Sequence, residues 1–135
     1  VGRIITIFMG QLLRNEPLTV IGDGKQTRCF TYVSDAVRAT ANAGLQDDTN
    51  GRIFNIGTDV ETSILDLANA MIRISGSSST IKFVNQQEVY GESYEDIGRR
   101  VPDAALMREV LGVRELAPLD EGLRETIDWF RNQLK

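Results

Sequence analysis

The chain has 135 residues, 41% of them hydrophobic and 25% charged, which indicates one globular domain with a modest core. Its net charge of -4 argues against nucleic-acid binding, which takes its affinity from clustered lysines and arginines, and no apolar run approaches the roughly 20 residues that cross a membrane. One cysteine and no histidine exclude an internal disulfide, a Ser-His-Asp triad and a histidine-based zinc site, and they favour the cytoplasm. We therefore expect no metal ion, nucleic acid or membrane among its partners.

The first part of the chain is predicted to form a helix, a strand, a turn and a second strand. Apolar residues recur at helical spacing over residues 3–14, and Pro17 ends that helix because proline cannot continue the hydrogen-bond ladder. Residues 18–21 form a short apolar strand, and residues 22–25 form a turn whose glycines accept positive φ. Residues 28–33 are rich in aromatic and β-branched side chains, which favours a second strand.

The next part is predicted to form a helix, a loop and a strand. Ser34 is a candidate N-cap for a helix that runs to about Gln46. The apolar or small side chains near one face of this helix are Val37, Thr40, Ala41 and Leu45. A polar loop over residues 47–51 leads to a strand over residues 52–56, which Gly57 closes.

A second capped helix follows. Thr62 or Ser63 is predicted to cap a helix that ends near Ser75, and Ser63 with Asp66 has the spacing of a weak capping box. Its inward side chains are predicted to be Leu65, Ala68, Met71 and Ile72. A serine-rich connector then leads to a strand over residues 81–84.

The last part is predicted to hold a loop and two helices. Residues 85–101 are polar and aperiodic, which is typical of a loop. Asp103 is predicted to cap a short helix that Gly112 ends, and Pro118 to take the first position of the final helix. One apolar stripe runs along that helix, at Leu119, Leu123, Ile127, Phe130 and Leu134. Residues 1–135 thus form a single mixed α/β domain in which several strands have no obvious sheet.

Four motifs occur in order along this chain. They are Gly2-Arg3-Ile4-Ile5 with Phe8; Gly22-Asp23-Gly24 with Gln26, Arg28, Phe30, Tyr32-Val33 and Asp35; Ile53-Phe54-Asn55-Ile56-Gly57; and Arg99-Arg100-Val101-Pro102-Asp103. Together they resemble the signature of the NAD-dependent nucleotide-sugar epimerases and dehydratases, in the extended short-chain dehydrogenase/reductase family. The resemblance implies the C-terminal, substrate-binding portion of an extended Rossmann-type enzyme, with mixed strands and helices and without the Rossmann half.

Two further motifs of that family are missing from the sequence. No G-x-x-G-x-x-G follows a strand and opens a helix, so the dinucleotide-binding fingerprint is absent. None of the three tyrosines has a lysine four residues later, so the family's catalytic Tyr-x-x-x-Lys is absent too. We therefore expect that the NAD site and the catalytic base lie N-terminal to this region, that the chain holds no catalytic residue, and that it is inactive alone.

Arg28 is the first candidate for a ligand contact. A guanidinium carries paired donors that match diphosphate oxygens, and the resemblance implies that Arg28 contacts the diphosphate of a nucleotide-sugar. The alternative is an ion pair with Asp23 or Asp35. Gly22 and Gly24 fit a turn better than a phosphate loop, because no helix N-terminus follows them directly.

Four further candidates accompany Arg28. The resemblance implies that Ile21 packs on the nucleotide base and that Asn55 hydrogen-bonds the nucleotide. The alternatives are ordinary strand packing and an asparagine that orients its own turn. Arg99, and after it Arg100, are candidates for a second diphosphate clamp, with a solvated face as the alternative. Cys29 is expected to be a buried, inert thiol.

The resemblance also implies a reaction. It begins with hydride transfer from a sugar carbon to NAD, and epimerisation, dehydration or decarboxylation follows. The alternative is a stand-alone module that binds nucleotide-sugars or a protein partner without catalysis. Without a Rossmann half, the helix that begins at Ser34 would expose apolar residues, so we expect a homodimer or self-association.

Overall fold

Six α-helices, one 3₁₀ helix (Asp47–Thr49) and four short strands lie within residues 4–90 and 97–133, which are the residues that the computed structural model describes. The helices are α1 (Ile4–Leu13), α2 (Val33–Leu45), α3 (Ile64–Ser75), α4 (Gln86–Tyr90), α5 (Ala105–Glu109) and α6 (Leu119–Gln133). The strands are β1 (Leu18–Ile21), β2 (Thr27–Cys29), β3 (Glu61–Ser63) and β4 (Ile81–Val84). The mixed α/β class predicted from the sequence is confirmed.

The four strands form two separate two-stranded sheets. β1 pairs with β4 in parallel, in a register that places Leu18 opposite Ile81. β2 pairs with β3 in the antiparallel direction, with Cys29 opposite Glu61. Because a two-stranded sheet has marginal stability alone, both sheets depend on the helices that pack against them.

The main core lies between α1, β1, α3 and α6. Its buried side chains are Phe8, Met9, Leu12, Leu18, Val20, Ile64, Leu67, Ala68, Met71, Leu123 and Ile127. Fully burying one large apolar side chain stabilises a fold by roughly 1.5–3 kcal/mol, so this cluster holds β1 and the turn after it in place. A smaller cluster joins α2 to α5 and the residues after α5, through Ala39, Ala104, Met107, Leu111 and Val113.

Elements with regular apolar spacing lie where the sequence predicts them. α1 begins and ends within one residue of the predicted ends, and β1 and β4 match residue for residue. Ser63 caps α3, since its Oγ accepts a hydrogen bond from the Asp66 N–H at 3.0 Å. The helix ends at Ser75, before Gly76 with φ 64°. Of the predicted inward side chains, Ala68 and Met71 are buried while Leu65 and Ile72 are half-buried.

The second strand is shorter than predicted, and the helix after it starts earlier. β2 ends at Cys29 rather than Val33, because its partner β3 offers only three residues for pairing. Val33 opens α2, with Tyr32 at the N-cap position and without a side-chain cap. Ser34 lies inside the first turn, so its prediction as the N-cap is wrong. The Tyr32 carbonyl instead accepts a hydrogen bond from the Asp35 N–H at 3.1 Å.

Two predictions for irregular or polar segments are also wrong, and one strand was not predicted. Residues 52–56 pair with no strand in the described part of the chain, since two of their apolar side chains pack against the smaller cluster instead. The unpredicted strand β3 has the polar sequence Glu61-Thr62-Ser63. α4 lies within the predicted loop over residues 85–101, of which residues 91–96 are outside the described residues.

The caps of the last two helices differ slightly from prediction. Ala104 takes the N-cap position of α5, although Asp103 Oδ1 still accepts a hydrogen bond from the Ala105 N–H at 3.0 Å. Pro118 directly precedes α6 rather than opening it. The predicted stripe of α6 is buried or half-buried at Leu119, Leu123, Ile127 and Phe130, and Leu134 is outside the described residues. No helix within residues 4–90 and 97–133 combines the length and apolarity that crossing a membrane requires.

Tyr32 connects the start of α2 to α6. Its hydroxyl donates a hydrogen bond to Glu125 Oε2 at 2.6 Å. Its ring lies over Gly122, where a Cβ would be 3.0 Å from Tyr32 Cδ2. The contact therefore fixes the direction in which the chain leaves β2.

Candidate functional site

Two of the four motifs meet beside β2. The Thr27 N–H donates to the Gly98 carbonyl at 2.9 Å, so it points away from β3 and towards the segment that carries the paired arginines. We call the surface formed by Thr27–Cys29 and residues 98–100 the β2 edge. Sequence-distant arginines are thereby placed along one short strand.

The segment that holds the third motif is hydrogen-bonded to the same region. Asn55 is exposed, and its Nδ2 donates to the Asp103 carbonyl at 3.0 Å. The Thr58 N–H donates to Thr31 Oγ1 at 3.1 Å, which ties this segment to the residues after β2. Asn55 thus fixes a distant backbone segment and not its own turn. Its contact with a nucleotide stays a prediction.

Arg28 is half-buried on β2, opposite Thr62. Its Nη1 donates to the Thr27 carbonyl at 2.7 Å, so the guanidinium folds back along its own strand to the β2 edge. The two carboxylates considered as partners are engaged by other basic side chains, Asp23 at 3.4 Å and Asp35 at 2.8 Å. A phosphate contact of Arg28 stays a prediction.

Ile21 ends β1 and is half-buried opposite Val84. Gln26 folds back across the turn and donates from its Nε2 to the Ile21 carbonyl at 3.1 Å. Gly22 and Gly24 have φ of 68° and 72°, and the chain continues into a strand. The interpretation of the two glycines as turn residues is confirmed, while the base contact of Ile21 stays a prediction.

Arg99 is held by a carboxylate that the sequence did not single out. Its Nε lies 3.1 Å from both oxygens of Glu61, and its Nη2 lies 2.7 Å from Glu61 Oε1. Glu61 Oε2 also accepts a hydrogen bond from the Thr27 hydroxyl at 2.8 Å. The hydrogen bond with Arg99 lowers the pKa of Glu61, and the same bond raises the pKa of Arg99. Glu61 was missed because it lies outside the four motifs, and Thr27 because it takes an unspecified position between Gln26 and Arg28 of the second motif.

Arg100 is exposed, and its role in a clamp stays a prediction. Its carbonyl accepts a hydrogen bond from the Cys29 thiol at 3.7 Å. Burial raises the pKa of the Cys29 thiol, and the nearby carboxylates Glu61 and Asp59 raise it further. A protonated thiol is a poor nucleophile, which supports the expected inert role, although Cys29 is half-buried rather than fully buried.

Two cavities lie near this region without including it. One of about 440 Å³ is lined by Phe30, Thr58, Asp59, Val60, Thr62, Arg108, Arg114, Leu116, Ala117, Pro118 and Leu119. The other, of about 240 Å³, is lined by Ile5, Phe30, Thr31, Tyr32, Val33, Ala117, Pro118, Leu119, Gly122, Leu123 and Thr126. Neither is lined by Arg28, Asn55 or Arg99. These three side chains therefore lie outside these two cavities.

Comparison with protein families and sequences gives a consistent result. Residues 1–57 match the model of the NAD dependent epimerase/dehydratase family. The chain is 43% identical over 128 residues to a UDP-N-acetyl-alpha-D-glucosaminuronate decarboxylase from Bacillus cytotoxicus, covering 95% of this chain and 40% of the relative. It is 37% identical over 134 residues to UDP-glucuronic acid decarboxylase 1 from Xenopus tropicalis, covering 99% of this chain and 30% of the relative. The chain thus spans well under half the length of these relatives.

Solved structures share the fold of this segment. A UDP-glucuronic acid 4-epimerase from Bacillus cereus, in complex with UDP-4-deoxy-4-fluoro-glucuronic acid and NAD, superposes with a TM-score of 0.82 at 32% identity. That match covers 98% of this chain and 40% of the epimerase chain. A UDP-glucose 4-epimerase from Thermotoga maritima with UDP-glucose superposes with a TM-score of 0.85 at 29% identity, over 98% of this chain and 40% of the other. The segment is therefore one part of a larger fold in these enzymes.

Proposed function

We propose that this chain is part of an enzyme of the NAD-dependent epimerase/dehydratase family, and that it supplies the nucleotide-sugar-binding part of a UDP-sugar-converting enzyme. The observation that carries the proposal is that the backbone segments bearing Arg28 and Arg99 meet at Thr27 on the β2 edge, next to the segment that holds Asn55. Two guanidinium groups on one strand edge form a site suited to a diphosphate, which carries several oxygen acceptors close together.

Each residue of the proposed site is assigned to one part of the ligand. Arg28 and Arg99 bind the diphosphate, with Arg100 as a further cation. Ile21 packs against the base at the end of β1, and Asn55 hydrogen-bonds the nucleotide. Binding energy at a nucleotide diphosphate is remote from the reacting sugar carbon, so these residues orient the sugar rather than make or break its bonds.

The glycine turn after β1 does not fit the pyrophosphate of NAD. The turn that contains Gly22 and Gly24 leads into β2 and not into a helix N-terminus, so it offers no converging helix amides to a dinucleotide. We assign the NAD site and the catalytic base to a part of the protein outside this segment. The 135-residue chain alone is then inactive.

The reaction class follows from the relatives only in outline. The relatives named above are decarboxylases, and the solved neighbours are epimerases. We propose a decarboxylation or an epimerisation of a UDP-sugar, with dehydration as the third outcome. Conversion of a UDP-sugar by the 135-residue chain with added NAD would contradict this assignment.

A thermal-shift experiment tests the site. The natural-length protein that contains this chain is titrated with UDP-, dTDP-, GDP- and CDP-sugars, and the shift is expected to be largest for a UDP-sugar. Arg28→Ala is expected to reduce that shift, whereas Arg124→Ala, an exposed arginine on α6, is the matched control. An unchanged shift in Arg28→Ala removes Arg28 from the site.

A stand-alone binding module is the second candidate function. The observation that favours it is the main core, which is built entirely from elements of this chain. The two candidates are separated by the coding sequence upstream of Val1. A G-x-x-G-x-x-G and a Tyr-x-x-x-Lys there support the enzyme, and their absence supports the module.

A further inference from the structure

Glu61 contacts both Arg99 and Thr27 at the β2 edge. We propose that Glu61 is a positioning residue, which holds the Arg99 guanidinium in the orientation that receives the diphosphate. The inference rests on the proposed function, because it adds a role for a residue that does not itself contact the ligand. It depends on three observations: the geometry of the ion pair, the anchoring of Glu61 and the position of Arg28.

The ion pair leaves one side of Arg99 for a ligand. Glu61 accepts from Nε and from Nη2, so it occupies the side of the guanidinium that these two nitrogens share. Among the described residues, Arg99 pairs with Glu61. The Nη1 group of Arg99 points away from the two nitrogens that bind Glu61. The side chain of Arg99 is 69% exposed, while that of Glu61 is 30% exposed. The carboxylate is thus the more buried partner, and the cation faces solvent.

Glu61 is itself held in place. It lies opposite Cys29 in the ladder between β2 and β3, and its Oε2 accepts a hydrogen bond from the Thr27 hydroxyl at 2.8 Å. Both its backbone and its carboxylate are therefore fixed to β2. An arginine bound to such a carboxylate loses side-chain freedom before the ligand arrives, which reduces the ordering cost of binding.

The anchored pair lies on the same strand edge as Arg28. The N–H of Thr27 binds Gly98, the neighbour of Arg99, and the carbonyl of Thr27 accepts from Arg28. The amide and carbonyl of one strand residue point to the same side, so both guanidinium-bearing segments meet at Thr27. Glu61 therefore fixes the side chain of Arg99 in a segment that lies beside the strand of Arg28.

The direction in which Glu61→Gln changes the affinity for a diphosphate separates positioning from simple electrostatics. Glu61 is an anion next to a site proposed for an anion, so removing its charge makes the local potential more positive. Through the field alone, Glu61→Gln would strengthen the binding of a diphosphate. Through loss of positioning, the same substitution weakens it.

Calorimetric titration of the natural-length protein with UDP and with uridine tests the inference. Arg99→Ala and Glu61→Gln are each expected to weaken UDP binding about tenfold, the size of one charge-assisted contact, and to leave uridine binding unchanged. The double variant is expected to bind UDP no more weakly than Arg99→Ala, because Glu61 acts through Arg99. Glu16→Gln, which breaks the exposed ion pair with Arg14, is the matched control. It is expected to leave the binding of both UDP and uridine unchanged.

Several outcomes overturn the inference. Unchanged or tighter UDP binding in Glu61→Gln, or additive losses in the double variant, exclude positioning through Arg99. Equal weakening of UDP and uridine indicates a merely structural role. If Glu61→Gln does not fold, Thr27→Val removes one anchor of the carboxylate and is expected to weaken UDP binding selectively but less; no change in this variant also contradicts the inference. A wild-type protein that binds no UDP overturns the proposed function, and the inference with it.

Discussion

At the residue scale, Gly22 and Gly24 share a positive φ but differ in their surroundings. A Cβ on Gly24 would lie 2.7 Å from Val20 Cγ1, whereas nothing lies within 4 Å of a Cβ on Gly22. We expect Gly22→Ala to lower the free energy of unfolding by about 1 kcal/mol, from backbone strain alone. Gly24→Ala is expected to lower it by roughly 2–4 kcal/mol, because a steric clash in the core is added. Denaturant unfolding measures both, and equal losses would contradict the difference in packing.

The Glu61–Arg99 pair gives stability a dependence on pH. The pKa of Glu61 is lowered from its ordinary value of 4.5 in the folded chain, chiefly by the hydrogen bond with Arg99. A carboxylate with a lowered pKa stabilises the fold above its unfolded pKa, and this contribution disappears as the pH falls through the folded pKa. We therefore expect wild type and Glu61→Gln to differ in melting temperature by a constant amount above about pH 5. The difference is expected to shrink below pH 4.5. Calorimetric melts across this range test the prediction, and a gap that persists to the lowest pH would refute it.

Some residues of the proposed site lie in motifs that the sequence shows, and some do not. Arg28, Asn55 and Arg99 lie in motifs, and the structure brings their segments together. Glu61 lies in a short polar run, and its importance arises from a partner far away in the sequence. A side chain whose role depends on such a non-local contact carries no local signal.

At the element scale, α6 is docked through a glycine. Gly122 faces the ring of Tyr32, and a Cβ would lie 3.0 Å from it, while nothing lies within 4 Å of a Cβ on Gly44 in α2. Alanine is favoured over glycine inside a helix by about 1 kcal/mol. Gly44→Ala is therefore expected to raise the melting temperature. Gly122→Ala is expected to lower it, because Tyr32 must move away from α6. Thermal melts of the two variants measure this contrast, which fails if both are stabilising.

The accuracy of the predicted elements follows from how each element is stabilised. β1 and β4 were predicted correctly because apolar side chains mark them, and Leu18 and Val20 are fully buried. β3 was missed because its pairing with β2 stabilises a polar sequence. Residues 52–56 carry a strand-like sequence but find no strand partner among the described residues. Local patterns thus predicted packing well, but they did not predict pairing.

At the scale of the whole molecule, α2 exposes much of its apolar surface. Val33, Val37 and Leu45 are 64%, 61% and 83% exposed. Val37 and Leu45 belong to the face that the sequence predicted for this helix, whereas Val33 was predicted to end the second strand. In the natural-length protein, we propose that this face is covered, and in the 135-residue chain it is expected to drive self-association.

Sedimentation velocity of the 135-residue chain tests this expectation. The sedimentation coefficient is expected to rise with protein concentration, and Val37→Glu is expected to reduce that rise. Ile53→Glu changes a residue that is 88% exposed outside α2, and it is the control that leaves association unaltered. A monomer at all concentrations, with a high melting temperature, would count against an association-prone face.

The parallel pairing of β1 with β4 has a consequence for synthesis on the ribosome. Leu18 pairs with Ile81, and among the described strands the partner of β1 is β4, which is synthesised after α1, α2 and α3. Until then the nascent chain carries an apolar strand with unsatisfied backbone groups, and unpaired strands of this kind are prone to aggregate. Among the described strands, β1 is therefore the one that most needs a chaperone or a fast-forming helix beside it, and α1 is the element already available to cover it.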